Sequence, residues 1–473
     1  MTSSPTCARR STSTAEPGAP DPMPILAVDF GSTFTKGVLL SDDGSVLGTA
    51  ATVTTGTPAV RRRQRGDILD GYASLRTMLG VPDDAAVHAC SSAGGGLRLA
   101  VVGYERTVTA QAGHRVGLSA GAKVVHVAAG ELTSAGLAAL RASRPDMVLL
   151  VGGTDGGNSD VLLHNAARLA RGAIGGHGEH AVPIVVAGNV DVRDQTVAVL
   201  EATGRPVVAS DNVLPQIGVI APDSARAAIR AAFLRHVIGG KGLSRDPAFG
   251  SMVEAATPDV VLRGVEVLAS MDGGDVLAVD IGGATTDVYS CLTPEGEDAT
   301  LRKDVVAPLW HTRTVEGDLG MRWNAGNVIE AAETEHLIDT GSGAEALRAY
   351  AARVHERPAS LPADDAERHL DLELARLAAL VAVRRHARPA QPTESPRPLA
   401  NVTALIGSGG VLRHTDAAGR THVLGAVLDD HAGGWKVPRA ASATVDTAYL
   451  LFAVGLLAER APELARAVAT HLA

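Results

Sequence analysis

Two stretches of this chain say nearly the same thing 251 positions apart: Asp29-Phe-Gly-Ser-Thr-Phe-Thr-Lys36 and Asp280-Ile-Gly-Gly-Ala-Thr-Thr-Asp287. Each follows a short apolar run, Ile25-Leu-Ala-Val28 or Val276-Leu-Ala-Val279, and precedes another, Val38-Leu-Leu40 or Val288-Tyr289. Each copy therefore predicts strand, tight Gly/Ser/Thr turn, strand. A hairpin repeated in both halves predicts paired lobes facing one cleft. An Asp at a strand end can hold a hydrated divalent cation, glycines let backbone N–H groups approach an anion, and Ser/Thr hydroxyls donate to phosphate oxygens. A single Gly-rich turn is equally an ordinary hairpin. The pair, in this order, argues for two hairpins gripping one nucleotide polyphosphate.

A third element completes the set. Val402-Thr-Ala-Leu-Ile406 reads as a strand running into Gly407-Ser408-Gly409-Gly410, where small residues let a backbone lie flat against an adenine or ribose. Together these residues resemble the phosphate-1, phosphate-2 and adenosine motifs of the actin, sugar-kinase and heat-shock chaperone ATPase superfamily, in the same order. Lys36, seven residues after Asp29, is similar to the phosphate-contacting lysine of actin. No G-x-x-x-x-G-K-[ST] occurs, so a P-loop has no support. The resemblance implies an α/β, two-lobed actin-like (ribonuclease H-like) ATPase fold that takes ATP and Mg²⁺.

The 473 residues are enough to bury several cores. A net charge of -9 leaves no electrostatic footprint for nucleic acid, and the Arg61-Arg62-Arg63-Gln64-Arg65 run reads as a solvated loop. The first 22 residues, rich in Ser, Thr and Pro, predict a disordered tail without export-signal character. The apolar stretch Ala448 to Ala458 is about half the ~20 residues a membrane span needs. Cys7, Cys90 and Cys291 are scattered, which predicts a reducing, cytoplasmic setting and no zinc or cluster motif.

Between the hairpins, strand-like runs at 124–127, 147–151, 184–187 and 207–209 alternate with Ala/Arg-rich helical patterns, predicting an additional doubly wound α/β insert. Gly152-Gly-Thr-Asp-Gly-Gly-Asn158 follows one such strand, where these sheets place ligands or partners, although a plain strand-to-helix loop explains it as well. The Gln111–Gly117 segment offers His114 and Arg115 among small residues, which a solvated helix start explains equally well, and Glu316–Met321 reads as a loop bending between lobes. The expected organisation is a tail at 1–22, a first lobe at 23–88, insert and remaining first lobe at 89–270, and a second lobe at 271–473. That second lobe carries a helical subdomain about 327–400, with a Pro-rich linker at 388–398. Val445, Tyr449, Phe452, Leu456 and Leu457 have helical spacing and predict a hinge-side helix. Asp429-Asp-His431-Ala-Gly-Gly434 matches a cobalt-binding pattern, yet only about 40 residues follow where a flavodoxin-like domain needs roughly a hundred, so it reads as a loop.

From about Pro24 onward the chain resembles the MutL/GlmL family associated with glutamate mutase. Cys90-Ser-Ser-Ala-Gly-Gly-Gly-Leu97, Leu149-Leu-Val-Gly-Gly-Thr-Asp-Gly-Gly-Asn158, Ile184-Val-Val-Ala-Gly-Asn189 and Val279–Asp287 carry the likeness. The resemblance implies an ATP-dependent reactivating factor for the adenosylcobalamin enzyme that interconverts glutamate and 3-methylaspartate. It implies that Asp29 and Asp280 hold Mg²⁺ through water, and that Asp287 helps position the attacking water. Gly31, Ser32, Thr33, Lys36, Gly282, Gly283, Thr285 and Thr286 are then the phosphate-contacting set, with Gly407, Gly409 and Gly410 against the adenosine. The alternatives are a small-molecule kinase of the same superfamily, a non-hydrolysing nucleotide-binding regulator, and an iron–sulfur activator of 2-hydroxyacyl-CoA dehydratases, which needs clustered cysteines.

Overall fold

The computed structural model describes residues 23–56, 66–93, 97–105, 108–176, 181–238, 242–293, 310–338, 341–389, 396–433 and 437–472. The expected tail, the basic run at 61–65, Gly94–Gly96, Cys7 and most of the Pro-rich linker lie outside the described residues.

The chain opens with a meander, β1 (Ile25–Phe30), β2 (Phe34–Leu40) and β3 (Val46–Val53), then places β4 (Ala86–Ser91) parallel to β1. It next builds a separate all-parallel sheet from β5 (Arg98–Gly103), β6 (Lys123–Ala129), β7 (Met147–Leu150), β8 (Ile184–Val186) and β9 (Val207–Ala209), in the order β6-β5-β7-β8-β9. Only then does it return to the first sheet as β10 (Val253–Ala256), giving β10-β4-β1-β2-β3. The second half repeats the first pattern. A meander of β11 (Asp275–Ile281), β12 (Thr286–Cys291) and β13 (His311–Glu316) is joined by parallel β14 (Val402–Ser408) and β15 (Ser442–Val445), in the order β13-β12-β11-β14-β15. Two sheets of one topology, with the insert between the fourth and fifth strands of the first, make the two-lobed actin-like fold with a doubly wound insert.

Why β1 and β11 read as unbroken apolar runs is now visible: both faces are covered. Leu26, Val28 and Phe30 enter one core, and Leu277, Val279 and Ile281 enter another. The alternate residues Ala27, Val276 and Ala278 share a third core between the sheets. The period of two along a strand puts Asp29 on the face of Ala27, and Asp280 on that of Ala278. Both carboxylates thus end the inner faces of their sheets. The insert is not self-contained, because Leu99, Val101, Met147 and Leu149 belong to the same core as Leu26, Val28 and Phe30.

Two helices fill the space between the lobes. Thr257–Asp272 leads from β10 to β11, and Leu450–Leu457 follows β15. They cross backbone to backbone: a β-carbon at Gly455 would collide with the Val260 carbonyl oxygen, and one at Gly264 with that of Leu451. The structure corrects three expectations. Val445 belongs to β15, and the hinge-side helix starts only at Leu450, after Tyr449. The Gln111–Gly117 segment lies inside the largely buried helix Thr109–Ser119, because its small residues pack directly on β5. The Glu316–Met321 segment stays within the second lobe, since the Leu319 carbonyl accepts from Thr286 Oγ1 and the Met321 amide donates to the Gly282 carbonyl. No helix among the described residues is long and apolar enough to cross a membrane.

Adding one methyl group at the crossing is a direct check of this geometry. Gly455→Ala is expected to destabilise the protein by about 1–3 kcal/mol or more through overpacking, read as a lowered midpoint in thermal or urea denaturation. Gly410→Ala, where an added β-carbon meets nothing within 4 Å, is expected to leave the midpoint nearly unchanged.

Candidate functional site

The two repeated turns are built alike. The Gly31 amide donates to the Phe34 carbonyl at 3.1 Å, and the Gly282 amide to the Thr285 carbonyl at 2.9 Å. Either glycine's missing β-carbon would lie against that same carbonyl. The turn tips are Ser32-Thr33 and Gly283-Ala284, and the four amides at those positions donate to nothing among the described residues. The tips face one another, since a β-carbon on Gly283 would stand 3.8 Å from Thr33 Oγ1. Bracing comes from behind: the Arg322 and Trp323 amides donate to the Gly283 carbonyl, and Asn324 Nδ2 to that of Ala284. Four free donors on two facing turns have the chemistry to receive an anion.

Strand register sets the charges beside these turns. Asp29 lies opposite Lys36 across β1 and β2, and Asp280 opposite Asp287 across β11 and β12. Asp29 is 3% exposed. Its Oδ2 is 3.5 Å from Lys36 Nζ, its Oδ1 accepts from Thr257 Oγ1 at 2.6 Å, and Cys90 Sγ is 3.7 Å away. Burial raises the Asp29 carboxyl above its ordinary range despite Lys36 and Thr257, and the charge of Asp280 adds to the rise. Burial works to lower Lys36, but Asp29 and Asp280 outweigh it and hold the ammonium above its usual value. Burial likewise raises Asp287, opposed by Arg313, whose Nη2 is 3.2 Å from Asp287 Oδ1. That approach is off the hydrogen-bonding direction, and Oδ1 has no hydrogen-bond partner.

The third motif completes the walls. Gly407 and Ser408 end β14, and Gly409 presses its backbone on the Ile281 carbonyl so closely that no side chain would fit. Beyond β15, Asp446 accepts from the Leu450 and Leu451 amides at 2.7 and 3.0 Å, at the start of the second crossing helix. Burial raises Asp446 above its ordinary range, those amides and Lys36 oppose the rise, and Asp280 supports it. Between Asp446 and that helix stands Tyr449 with φ of 58°, a left-handed conformation that is strained for a bulky residue. Its ring lies 4.6 Å from Lys36 Nζ and 4.1 Å from the Arg413 guanidinium carbon, while Arg413 Nη2 donates to Thr49 Oγ1 at 3.1 Å. One aromatic ring thus carries a cation from each lobe.

Of the residues singled out in the sequence, the structure brings Asp29, Asp280, Asp287, Lys36, Ser32, Thr33 and Gly283 to this cleft. Thr286 is turned away: it is fully buried, and its hydroxyl donates to the Leu319 carbonyl. It faces the core with Ile281, its cross-strand partner. The sequence reading missed Thr257, Arg313, Asp446 and Tyr449. An Asp or Thr directly after the fifth strand of each repeat was the available signal for two of them. Asp280, half-buried, has no hydrogen-bonded or ion-paired partner among the described residues. A carboxylate left free beside Lys36 and Asp29 has the chemistry to hold a hydrated divalent cation. Outside the cleft, a cavity of about 550 Å³ is lined by Trp323, Asn324, Asn327, Glu330 and His355, among others.

A family model described as MutL protein matches residues 25–472. Protein MutL of Clostridium tetanomorphum is 35% identical over 467 residues, covering 93% of this chain and 96% of that relative. Among solved structures, nucleotide-free acetone carboxylase aligns over 92% of this chain and 70% of its own, at TM-score 0.40 and 14% identity. A ROK family glucokinase from Streptomyces griseus, in complex with glucose and AMPPNP, aligns over 94% and 98%, at TM-score 0.32 and 13% identity.

A carboxyl raised by folding favours the folded state while protonated, so its contribution is present below the unfolded value of 3.8 and is lost as pH rises through the folded value. Asp29→Asn removes that dependence. Denaturation midpoints compared from about pH 4 to 7 are expected to fall less with rising pH in the ligand-free variant than in the parent.

Proposed function

Because the chain belongs to the MutL family, we propose that it is an ATP-dependent reactivating factor for an adenosylcobalamin-dependent mutase, with glutamate (methylaspartate) mutase as the partner. The observation that carries the nucleotide part is the set of four unbonded amides at Ser32, Thr33, Gly283 and Ala284, two from each lobe across one cleft. The polyphosphate of ATP bridges these amides, with Lys36 as its cationic contact and the Gly407–Gly410 turn against the adenosine. When bound, Mg²⁺ neutralises phosphate charge beside Asp280 and Asp29. Asp287, raised by burial, orients the attacking water and accepts its proton.

The partner step is mechanical. A ligand that touches both lobes favours the closed arrangement about the helix crossing, and loss of the terminal phosphate removes that preference. A mutase that binds one arrangement better is opened by the cycle, which frees a cobalamin that has lost its adenosyl group. The buried free thiols of Cys90 and Cys291 suit a reducing, cytoplasmic setting.

The test incubates inactivated, cobalamin-bound glutamate mutase with this protein, ATP, Mg²⁺ and fresh adenosylcobalamin. Mutase activity is expected to return; no recovery in this or any other cobalamin mutase would sink the proposal. Asp280→Asn is expected to lower ATP turnover and recovery by about 10²-fold or more, with an unchanged circular dichroism spectrum. ATP turnover without a small-molecule acceptor separates this reading from a kinase.

A further inference from the structure

The insert reaches the candidate site through one backbone carbonyl. Helix Thr109–Ser119 starts at the carboxyl end of β5, where Thr109 Oγ1 accepts from the amides of Tyr104 and Glu105 at 2.8 and 3.2 Å. Gly113 and Gly117 press it onto Val101, Val151 and Leu99, so it lies on the sheet as a rod of about 16 Å. It ends in a turn at Gly121, where φ is 73° and an added β-carbon would strike the Asp259 amide nitrogen. Asp259 is in the first turn of the crossing helix whose Thr257 donates to Asp29. The Gly121 carbonyl also accepts from Arg313 Nη1 at 2.8 Å. Arg313 is buried, lies 5.6 Å over the Tyr289 ring, and turns Nη2 toward Asp287. A single peptide of the insert therefore rests against the supports of both lobes' carboxylates.

We propose that Arg313 is a positioning residue for Asp287 and that the insert, through the Gly121 carbonyl, holds Arg313 in place. The role assigned to Asp287 rests on the proposed ATPase function; the linkage itself does not. Geometry makes the linkage specific. Arg313 is the cross-strand neighbour of Tyr289, so its side chain shares the face of Asp287 and Asp280. A planar fork can serve the carbonyl and the carboxylate together, whereas an ammonium is a point donor. The charged and titratable groups on the face of Asp287 are Arg313 from β13, Asp280 from β11 and Tyr289 on its own strand, whereas Glu316, the cross-strand partner of Thr286, stands on the other face. Glu316 is in turn tied to Arg385 of the helix Asp365–Ala387. Arg313 is the cation that opposes the rise of the Asp287 carboxyl.

The test measures steady-state ATP turnover and nucleotide affinity of the full chain with Mg²⁺ present. Arg313→Gln is expected to lower kcat about tenfold or more with nucleotide affinity within about twofold, a loss confined to the chemical step. Gly121→Ala, which changes no charge but displaces the carbonyl, is expected to lower kcat in the same way. Arg313→Lys, keeping the charge but not the fork, is expected to fall between parent and Arg313→Gln, and it serves if Arg313→Gln does not fold. Urea denaturation of both single variants and of the Arg313→Gln/Gly121→Ala double variant reads the linkage itself, and the losses are expected to be less than additive. An unchanged kcat in folded Arg313 variants overturns the proposal. Additive losses in the double variant overturn the insert's part in it. A parent protein that does not hydrolyse ATP sinks the functional reading, while the denaturation cycle still decides the linkage.

Discussion

Two helices that touch without side chains between them determine where everything else in this protein stands. Gly264 and Gly455 let Thr257–Asp272 and Leu450–Leu457 approach until carbonyl groups meet the opposing backbone. The sheets on either side consequently line their inner faces with Ala27 and Ala278, and larger residues there would force the helices apart. Because each helix starts at the carboxyl end of the strand before it, the crossing also sets the chemistry: Thr257 meets Asp29, and Asp446 anchors the second helix while facing Lys36. A crossing made through glycines has few interlocking ridges.

The cleft that results is electrostatically costly at rest. Burial disfavours the charged forms of Asp29, Asp287 and Asp446, and Lys36 stands among carboxylates to oppose part of that. Strain at Tyr449 adds to the cost. Core packing elsewhere offsets the cost of burying these carboxylates, although Asp446 also anchors the second crossing helix.

How much of this was legible in the sequence depended on whether the signal was local. The hairpins were legible because a strand's period of two and a Gly-rich turn are written within about ten residues. The parallel strands at 147–151 and 184–187 stood out because burial on both faces demands an apolar run. β5, second in the order of the insert's sheet, had no place among the strands expected from the sequence, since Arg98–Gly103 directly follows a Gly-rich segment. Arg313 and Tyr449 were illegible for a different reason. A lone Arg in a strand and a Tyr at helical spacing look ordinary until the fold brings Gly121, Asp287, Lys36 and Arg413 against them. The hydroxyl of Thr286 illustrates the converse, since adjacent threonines in a turn look interchangeable while the pleat sends one to the cleft and the other to a carbonyl in the core.

The duplicated sheets match strand for strand, yet at one pair of equivalent corners they disagree. Lys36 faces Asp29 in the first copy, and at the same place in the second Asp287 faces Asp280. In the first copy the counter-charge sits on the next strand, as Lys36; in the second it comes from one strand further, as Arg313 against Asp287. Equivalent corners thus draw their counter-charge from different strands, and the two halves of the cleft are not electrostatically interchangeable.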